Sequence, residues 1–143
     1  AGGERGRAGI GELVRVMNDE RPSIRWWAAR SLGNMGLYAK CVEAAGVLRR
    51  SLKDNSSGVR VEAARALCKM DLEGEGLPVL IEELSGSDQI VRHYAALALE
   101  DIGEKALPAL EPLKQARGDK YEYVMRISNR LVAVLHGGND GES

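Results

Sequence analysis

The sequence contains no phenylalanine, only four prolines and two cysteines, and it has almost no net charge. Its 20 basic and 21 acidic side chains give a net charge of −1, which argues against a dedicated nucleic-acid-binding protein, because such proteins carry a positive excess. No apolar stretch approaches the roughly 18 residues that a membrane-spanning helix needs, so no membrane span is predicted. The sequence is instead rich in Ala and Leu, which suits closely packed helices, because Ala favours helix and lets backbones approach.

The sequence also lacks residues at the spacing of a catalytic or metal site. Cys41 and Cys68 match no metal or redox spacing and lie in helical patterns, where cysteine behaves as a small hydrophobic residue. His93 and His136 belong to different parts of the chain, with no carboxylate or cysteine at ligand spacing. There is no glycine-rich phosphate loop and no HExxH motif. We therefore predict a noncatalytic chain that needs no cofactor and no metal.

Four related segments recur with a period of about 33 residues. They occupy residues 24–32, 59–67, 91–99 and, more weakly, 124–132. In each segment a β-branched residue and the residues four and eight positions later fall on one helical face. A second amphipathic stretch precedes each segment, at residues 10–17, 42–52, 77–84 and 106–113. Two helices in such a period are typical of a stacked solenoid, so we predict an all-α, right-handed α-α superhelix of about four helix pairs.

The predicted organisation is one repeat domain with two short end segments. The repeats are expected at residues 10–36, 41–71, 77–103 and 106–136. Residues 1–9 are expected to be flexible, and the Gly-rich residues 137–143 to be disordered, because they offer little to bury. The chain opens on Ala-Gly-Gly without an initiator methionine, which predicts a piece of a longer protein and leaves the compartment open.

Acidic residues mark the turn inside three of the four repeats. Asp19, Asp54 and Asp119 each precede the β-branched residue of the second helix by five positions. We expect them to accept hydrogen bonds from the N–H groups at the start of that helix. In the third repeat Gly86 takes this position, and Asp88 is the expected cap. Second helices are expected to close at three glycines, Gly33, Gly36 and Gly103.

The pattern Asp-x4-Val-Arg-x2-Ala-Ala-x-Ala-Leu resembles the HEAT repeat of the kind found with cyclic lyases and sulfatases. Asp54 and residues 59–67 carry it most fully, and the resemblance covers about residues 10–136. It implies an architecture and is nonspecific for function.

The HEAT resemblance also implies a ladder between repeats, in which the arginine of Val-Arg reaches a turn aspartate. Arg25, Arg60 and Arg92 match the arginine position, whereas Met125 does not. We therefore expect the fourth repeat to act as a terminal cap, which stacks on one neighbour only.

A narrower resemblance links residues 24–29, 106–110 and 121–126 to the C-terminal HEAT region of some bacterial sulfatases. It implies a parent protein that hydrolyses sulfate esters with a separate catalytic domain. Such enzymes carry a cysteine in Cys-x-Pro/Ala-x-Arg, and neither Cys41 nor Cys68 fits that motif.

The second helices are expected to line a concave surface, as the HEAT resemblance implies. Its outward positions combine aromatic residues with arginine, a composition that interface hot spots favour. The predicted binding surface comprises Trp26, Trp27, Arg30, Glu62, Arg65, Lys69, His93, Tyr94, Arg126 and Arg130. A structural role, in which the Trp pair covers an exposed edge of the core, is the alternative for Trp26 and Trp27.

Three functions remain open from the sequence. The first is a scaffold module that binds a protein, either in trans or in cis against a catalytic domain of the same polypeptide. The second is an appendage of a sulfatase-like hydrolase that contributes to domain packing or substrate access. The third, nucleic-acid binding through the arginines, is disfavoured by the near-zero net charge. The parent would be exported if sulfatase-like and cytoplasmic otherwise, and the oligomeric state is open.

Overall fold

The computed structural model describes the backbone of residues 2–140 and the side chains of residues 8–137. Over that range the secondary structure is helical, without a β-strand, which confirms the predicted all-α class of paired helices. The α-helices are α1 (Gly2–Val16), α2 (Pro22–Met35), α3 (Val42–Ser51), α4 (Ser57–Lys69), α5 (Glu73–Leu84), α6 (Gln89–Ile102), α7 (Leu110–Ala116) and α8 (Glu122–Asp140). Short 3₁₀ segments, Gly36–Ala39 and Gly103–Ala109, follow α2 and α6.

Each predicted repeat corresponds to one pair of consecutive helices. The helices extend further than the predicted repeat domain, because α1 begins at Gly2 and α8 ends at Asp140. Once a helix has formed, it propagates readily since each added residue closes one more backbone hydrogen bond. Ala1 and residues 141–143 lie outside the described residues, and the flexibility of the two end segments stays a prediction.

The chain divides into two compact units, Ala1–Gly76 and Leu77–Ser143. Unit 1 comprises α1 to α4 and the first turn of α5. Its core is built largely from small side chains of α2 and α4, with leucine and methionine filling the remaining space. The buried residues of this core are Met17, Ala28, Ala29, Leu32, Ala39, Ala44, Val47, Leu48, Ala63, Ala66, Leu67 and Met70. The alanines allow the second helices of the two repeats to approach closely.

Unit 2 comprises the rest of α5 together with α6, α7 and α8. Helix α8 packs against both α6 and α7. It buries one face, formed by Val124, Ile127, Ser128, Leu131, Val132 and Leu135. These positions follow the three-to-four residue spacing of an amphipathic helix, so the opposite face of α8 is left to solvent.

The second helices of the first three repeats are each followed by a residue with a positive φ angle, at equivalent positions. Gly36, Asp71 and Gly103 have φ angles of 58°, 62° and 64°. Gly36 and Gly103 close α2 and α6 as expected, since glycine adopts this conformation without steric cost. Gly33, by contrast, lies inside α2, so its predicted role as a helix terminator is wrong.

Candidate functional site

An ion pair joins the two repeats within each unit. In unit 1, Arg25 of α2 donates to the Asp54 carboxylate through Nε and Nη2, both at 2.9 Å. In unit 2, Arg92 of α6 makes the same two hydrogen bonds with Asp119, at 2.8 and 3.1 Å. The Nη1 of each arginine donates to carbonyl oxygens in the turn before its own helix. The implied ladder is thus confirmed for Arg25 and Arg92, and the bidentate geometry fixes how the paired repeats stack.

The turn aspartates do not cap the second helices, contrary to the prediction. The Oδ1 of Asp54 accepts a hydrogen bond from the backbone N–H of Ser56 at 2.9 Å, and Asp19 and Asp119 also bond the N–H two residues later. The reason is that the second helices begin two residues before the β-branched position, which leaves the aspartate outside the first turn. Ser56 caps α4 instead, whereas Asp88 caps α6 as expected.

The two ladder carboxylates have lowered pKa values. Hydrogen bonds from Arg25 are the largest cause of the lowered pKa of Asp54, and they outweigh the opposing effect of burial. For Asp119 burial is the largest single influence and raises the pKa, but hydrogen bonds from Arg92 and a backbone N–H together lower it below the ordinary 3.8. Both carboxylates are therefore charged at neutral pH, as the ion pairs require.

The six predicted surface residues of unit 1 divide into two groups. Exposed or half-buried side chains are found at Trp26, Trp27, Arg30 and Lys69. Trp27 is 58% exposed. Glu62 and Arg65 are buried instead, with only 7% and 5% of their surface exposed, so the prediction that these two side chains face outward is wrong.

The close approach of α2 and α4 accounts for this burial. A Cβ on Gly33 of α2 would lie 3.1 Å from the Cα of Ala66 on α4, so the helices meet almost backbone to backbone. The Nη2 of Arg65 donates to the Oδ1 of Asn34 at 2.7 Å. The Nη1 of Arg65 lies 3.6 Å from a carboxylate oxygen of Glu62. Two residues predicted to bind a partner therefore hold neighbouring repeats together.

Arg30 extends the same network toward solvent. Its Nη1 donates to the other carboxylate oxygen of Glu62 at 3.2 Å. Its guanidinium lies 5.6 Å from the ring centroid of Trp26, within the range of a cation–π interaction. Arg30 and Trp26 thus combine partial exposure with a contact in the repeat interface.

Unit 2 carries an aromatic cluster around His93. The His93 ring is stacked with Tyr123 (centroids 5.2 Å apart) and with Tyr94 (6.3 Å), and Tyr121 meets it edge-on at 5.8 Å. Tyr94 and Tyr123 are 48% and 54% exposed. The structure therefore brings the predicted residues His93 and Tyr94 together with two tyrosines that the sequence analysis missed. The sequence signal was the Tyr-x-Tyr at residues 121–123, at the start of α8.

Exposed apolar residues continue the cluster along α6. Ile90, Tyr94 and Leu97 are all partly exposed, and their spacing of four and three residues places them on one helical face. We call the surface formed by Ile90, His93, Tyr94, Leu97, Tyr121 and Tyr123 the aromatic face of unit 2. The remaining predicted residues, Arg126 and Arg130, are exposed on α8, where Arg126 pairs with Glu122 and Arg130 with Glu100.

A comparison with known protein families identifies the family of this helical-repeat architecture. The family model of HEAT repeats matches residues 3–68 and 47–128, which together account for most of the sequence. The chain belongs to the HEAT-repeat family. HEAT repeats generally mediate protein interactions or scaffolding, and solenoids of this kind are typically noncatalytic.

A solved structure supports the same fold for this HEAT-repeat chain. The crystal structure of an engineered protein is similar, with a TM-score of 0.68 and 25% sequence identity. The similarity covers 92% of the HEAT-repeat chain and 64% of the engineered protein, so the chain spans less than two thirds of the length of that protein. No curated protein matches the sequence.

Two surface hollows of the HEAT-repeat chain show no catalytic arrangement. The hollow in unit 2, of about 510 Å³, is bordered by Arg92 and Asp119, whose charged groups already bind each other. The hollow in unit 1, of about 580 Å³, is lined by residues that include Val14, Tyr38 and Cys41. Within the described part of the chain, no three His, Cys, Asp or Glu side chains are grouped so that they could hold a metal ion. None of the described helices is long and apolar enough to cross a membrane.

Proposed function

We propose that this HEAT-repeat chain is a noncatalytic module that binds a protein partner through its second helices, with the aromatic face of unit 2 as the main contact. The observation that carries this proposal is the clustering of four rings, of which Tyr94 and Tyr123 are about half exposed. Large, flat side chains bury much area on binding and lose few rotamers, so they dominate protein interfaces. Ile90 and Leu97 extend the same apolar surface.

The charge distribution supports a protein partner over a nucleic acid. Two exposed arginines of the predicted binding surface are engaged with acids: Arg30 with Glu62, and Arg130 with Glu100. Arg65 is buried and therefore offers no charge to a phosphate backbone. Nucleic-acid binding depends on many unpaired cations, and the described arginines of the second helices do not provide such a set.

In unit 1 the proposed contact is smaller. The predicted residues that remain accessible on the second helices there are Trp26, Trp27, Arg30 and Lys69. Whether the contributions of the two units form one continuous concave surface stays a prediction. The alternative function, an appendage of a sulfatase-like hydrolase, rests on the sequence resemblance of residues 24–29, 106–110 and 121–126 alone.

The test is affinity capture from the source organism with quantitative mass spectrometry. The full chain is compared with Tyr94→Ala/Tyr123→Ala and with Tyr38→Ala, a control that removes an even more exposed tyrosine of unit 1. We expect a protein that is retained by the full chain and by the control and is lost with the double variant. Retention of the same proteins by a correctly folded double variant, judged by circular dichroism, would contradict the proposal.

A further inference from the structure

The aromatic face of unit 2 presents the flat sides of its rings to solvent. The rings of Tyr94, His93 and Tyr123 are nearly parallel, with interplanar angles of 11° and 17° and centroids 6.3 and 5.2 Å apart. Nearly parallel rings at these separations are offset and not directly superposed, so part of each ring face stays uncovered. Tyr94 and Tyr123 are accordingly 48% and 54% exposed. The face therefore offers neighbouring flat apolar surfaces to a segment that lies across them.

The same face carries hydrogen-bond donors that are not used within the protein. The hydroxyl groups of Tyr94, Tyr121 and Tyr123 form no hydrogen bond with another residue that the structure describes, and each can donate one. A segment in the polyproline II conformation has no internal hydrogen bonds, so its carbonyl oxygens are open to such donors. Its prolines have no N–H group, so the segment needs few acceptors in return. The polar groups of the face and of a proline-rich segment are therefore complementary.

The charges beside the aromatic face favour an uncharged partner segment. The acidic residues next to the face in the sequence are Asp88, Asp119 and Glu122. Asp88 caps α6. Asp119 is bonded to Arg92, and Glu122 is bonded to Arg126. Because each of these carboxylates is already engaged, a lysine or arginine of a partner would have to displace an existing contact to find a counter-ion, and an unpaired charge is costly to bury.

The length of the face favours a segment that is already ordered before it binds. Its apolar stretch on α6 runs from Ile90 to Leu97, which is about 10 Å along the helix axis. A contact this short gains little area, so the bound segment must lose little conformational entropy. One turn of polyproline II covers about 9 Å with three residues and is populated in free proline-rich chains. An α-helix would contact the face with about two turns, a length that is only marginally helical before binding.

We propose that the aromatic face of unit 2 binds a proline-rich, extended segment of the partner protein. This inference rests on the proposed function and names the chemistry of the partner at the same site. Proline rings of the segment lie on the exposed ring faces of Tyr94 and Tyr123, and residues three apart in the segment share the side that meets the protein. The tyrosine hydroxyls donate to carbonyl oxygens of the segment. Ile90 and Leu97 contact the residues that flank the prolines.

The first experiment titrates the full chain, labelled with ¹⁵N, with a decaproline peptide and follows the amide signals by NMR. We expect a Kd on the order of 0.1–1 mM, as suits a contact of few side chains. The shifted signals should belong to the residues of the aromatic face and their neighbours on α6 and α8. A Gly-Ser peptide of the same length should cause no such shifts. Equal binding of the two peptides, or no binding of decaproline at about 5 mM, would overturn the proposal.

Three variants separate the rings from their hydroxyl groups in the same titration. Tyr94→Ala/Tyr123→Ala should weaken decaproline binding at least about tenfold, because both ring faces are gone. Tyr94→Phe/Tyr123→Phe keeps the rings and removes two donors, so it should weaken binding roughly fivefold; it also preserves the packing if the Ala variant does not fold. Tyr38→Ala, which removes an exposed tyrosine of unit 1, should leave the affinity unchanged. The same affinity in the parent chain and all three variants would overturn the proposal.

The partner itself is tested by competition and by photo-crosslinking from position 97 of the full chain. Decaproline should release the partner that is captured through Tyr94 and Tyr123, and the crosslinked segment should contain prolines three residues apart. A partner that depends on both tyrosines, but resists decaproline and is crosslinked through a helix, would overturn the proline-rich assignment and leave the proposed function intact. Absence of any partner that depends on these tyrosines would contradict the proposed function and, with it, this inference.

Discussion

The two units use the same ion pair for stacking. Arg25 and Asp54 in unit 1 and Arg92 and Asp119 in unit 2 each form two hydrogen bonds of 2.8–3.1 Å. Each pair is largely buried and lies at the turn between the helices of a repeat. The contact that sets the geometry of the repeats is therefore independent of what lies further along the second helices.

One turn further along, the units differ in chemistry. Glu62 and Arg65 of α4 are buried and charged, whereas the equivalent Tyr94 and Leu97 of α6 are apolar and partly exposed. The same two positions hold repeats together in unit 1 and offer a binding surface in unit 2. Equivalent positions in a repeat protein thus need not share a role.

The two units also differ in how tightly their glycines are packed. In unit 1 an added Cβ would clash at Gly33 with α4, and at Gly76 with Cys68 and the Ala64 carbonyl. Among the described glycines of unit 2, no Cβ would come within 3.4 Å of a neighbour. Unit 1 therefore depends on backbone-to-backbone contacts, and unit 2 depends on side-chain packing.

The largest effect is expected at the position that Glu62 and Tyr94 share. Glu62→Ala leaves Arg65 buried opposite an absent charge, so the free energy of unfolding should fall by about 3 kcal/mol. Tyr94→Ala removes a half-exposed ring and should cost less than about 1 kcal/mol. Urea unfolding followed by circular dichroism measures both. Similar losses of unfolding free energy in the two variants would contradict the distinction between a structural position and a binding position.

The dependence of unit 1 on close backbone contact is tested at Gly76. Gly76→Ala places a methyl group 2.8 Å from the sulfur of Cys68, so it should destabilise the protein by about 2 kcal/mol. Gly74→Ala in the same helix meets nothing within 4 Å. This control should stabilise the helix by about 0.5–1 kcal/mol. Thermal unfolding of both variants should therefore shift in opposite directions.

The equivalence of the two ion pairs is tested by pH. The folded-state pKa values of Asp54 and Asp119 lie below the ordinary value of 3.8, so their contribution is present above about pH 4 and is lost as the pH falls through the folded pKa. Asp54→Asn and Asp119→Asn should each cost about 2 kcal/mol at pH 7. The difference in unfolding free energy between each variant and the parent chain, measured by urea unfolding, should shrink steadily below pH 4. A stability deficit that persisted at pH 2 would show that the loss does not come from the charge of the carboxylate.

The smallest effect is expected at Arg130, which occupies the position of Arg65 in the fourth repeat. Its pair with Glu100 is exposed, so Arg130→Ala should change the unfolding free energy by less than about 0.5 kcal/mol. Arg65→Ala, at the buried equivalent, should cost several times more. Unfolding in low and high salt provides the check, because only the exposed pair should weaken with added salt.

The sequence predicted the helix pairs because they depend on regular spacing: a 32–35-residue period with helical face patterns is typical of paired helices. The ladder was implied by the resemblance to HEAT repeats, and the structure confirms it at Arg25 and Arg92. The caps were misplaced because the starts of the second helices lie two residues earlier than the β-branched marker, as at Ser57 before Val59.

Which side chains of the second helices are exposed was harder to predict, because burial depends on the distances between helices. The burial of Glu62 and Arg65 follows from the approach at Gly33, which the repeat pattern alone does not specify. Tyr121 was missed for a different reason, since it lies in the turn before α8 and reaches His93 from another element. Helix periodicity describes which residues of one helix share a face. It does not predict contacts between rings that belong to two different elements.

Because Gly76 packs against Cys68, the reactivity of this thiol measures local opening of the protein. The Cys68 thiol is fully buried beneath the first turn of α5, while Cys41 remains partly accessible. A thiol reagent should therefore modify Cys41 rapidly and Cys68 only when that turn detaches. The ratio of the two labelling rates therefore reports how often the first turn of α5 detaches from α4.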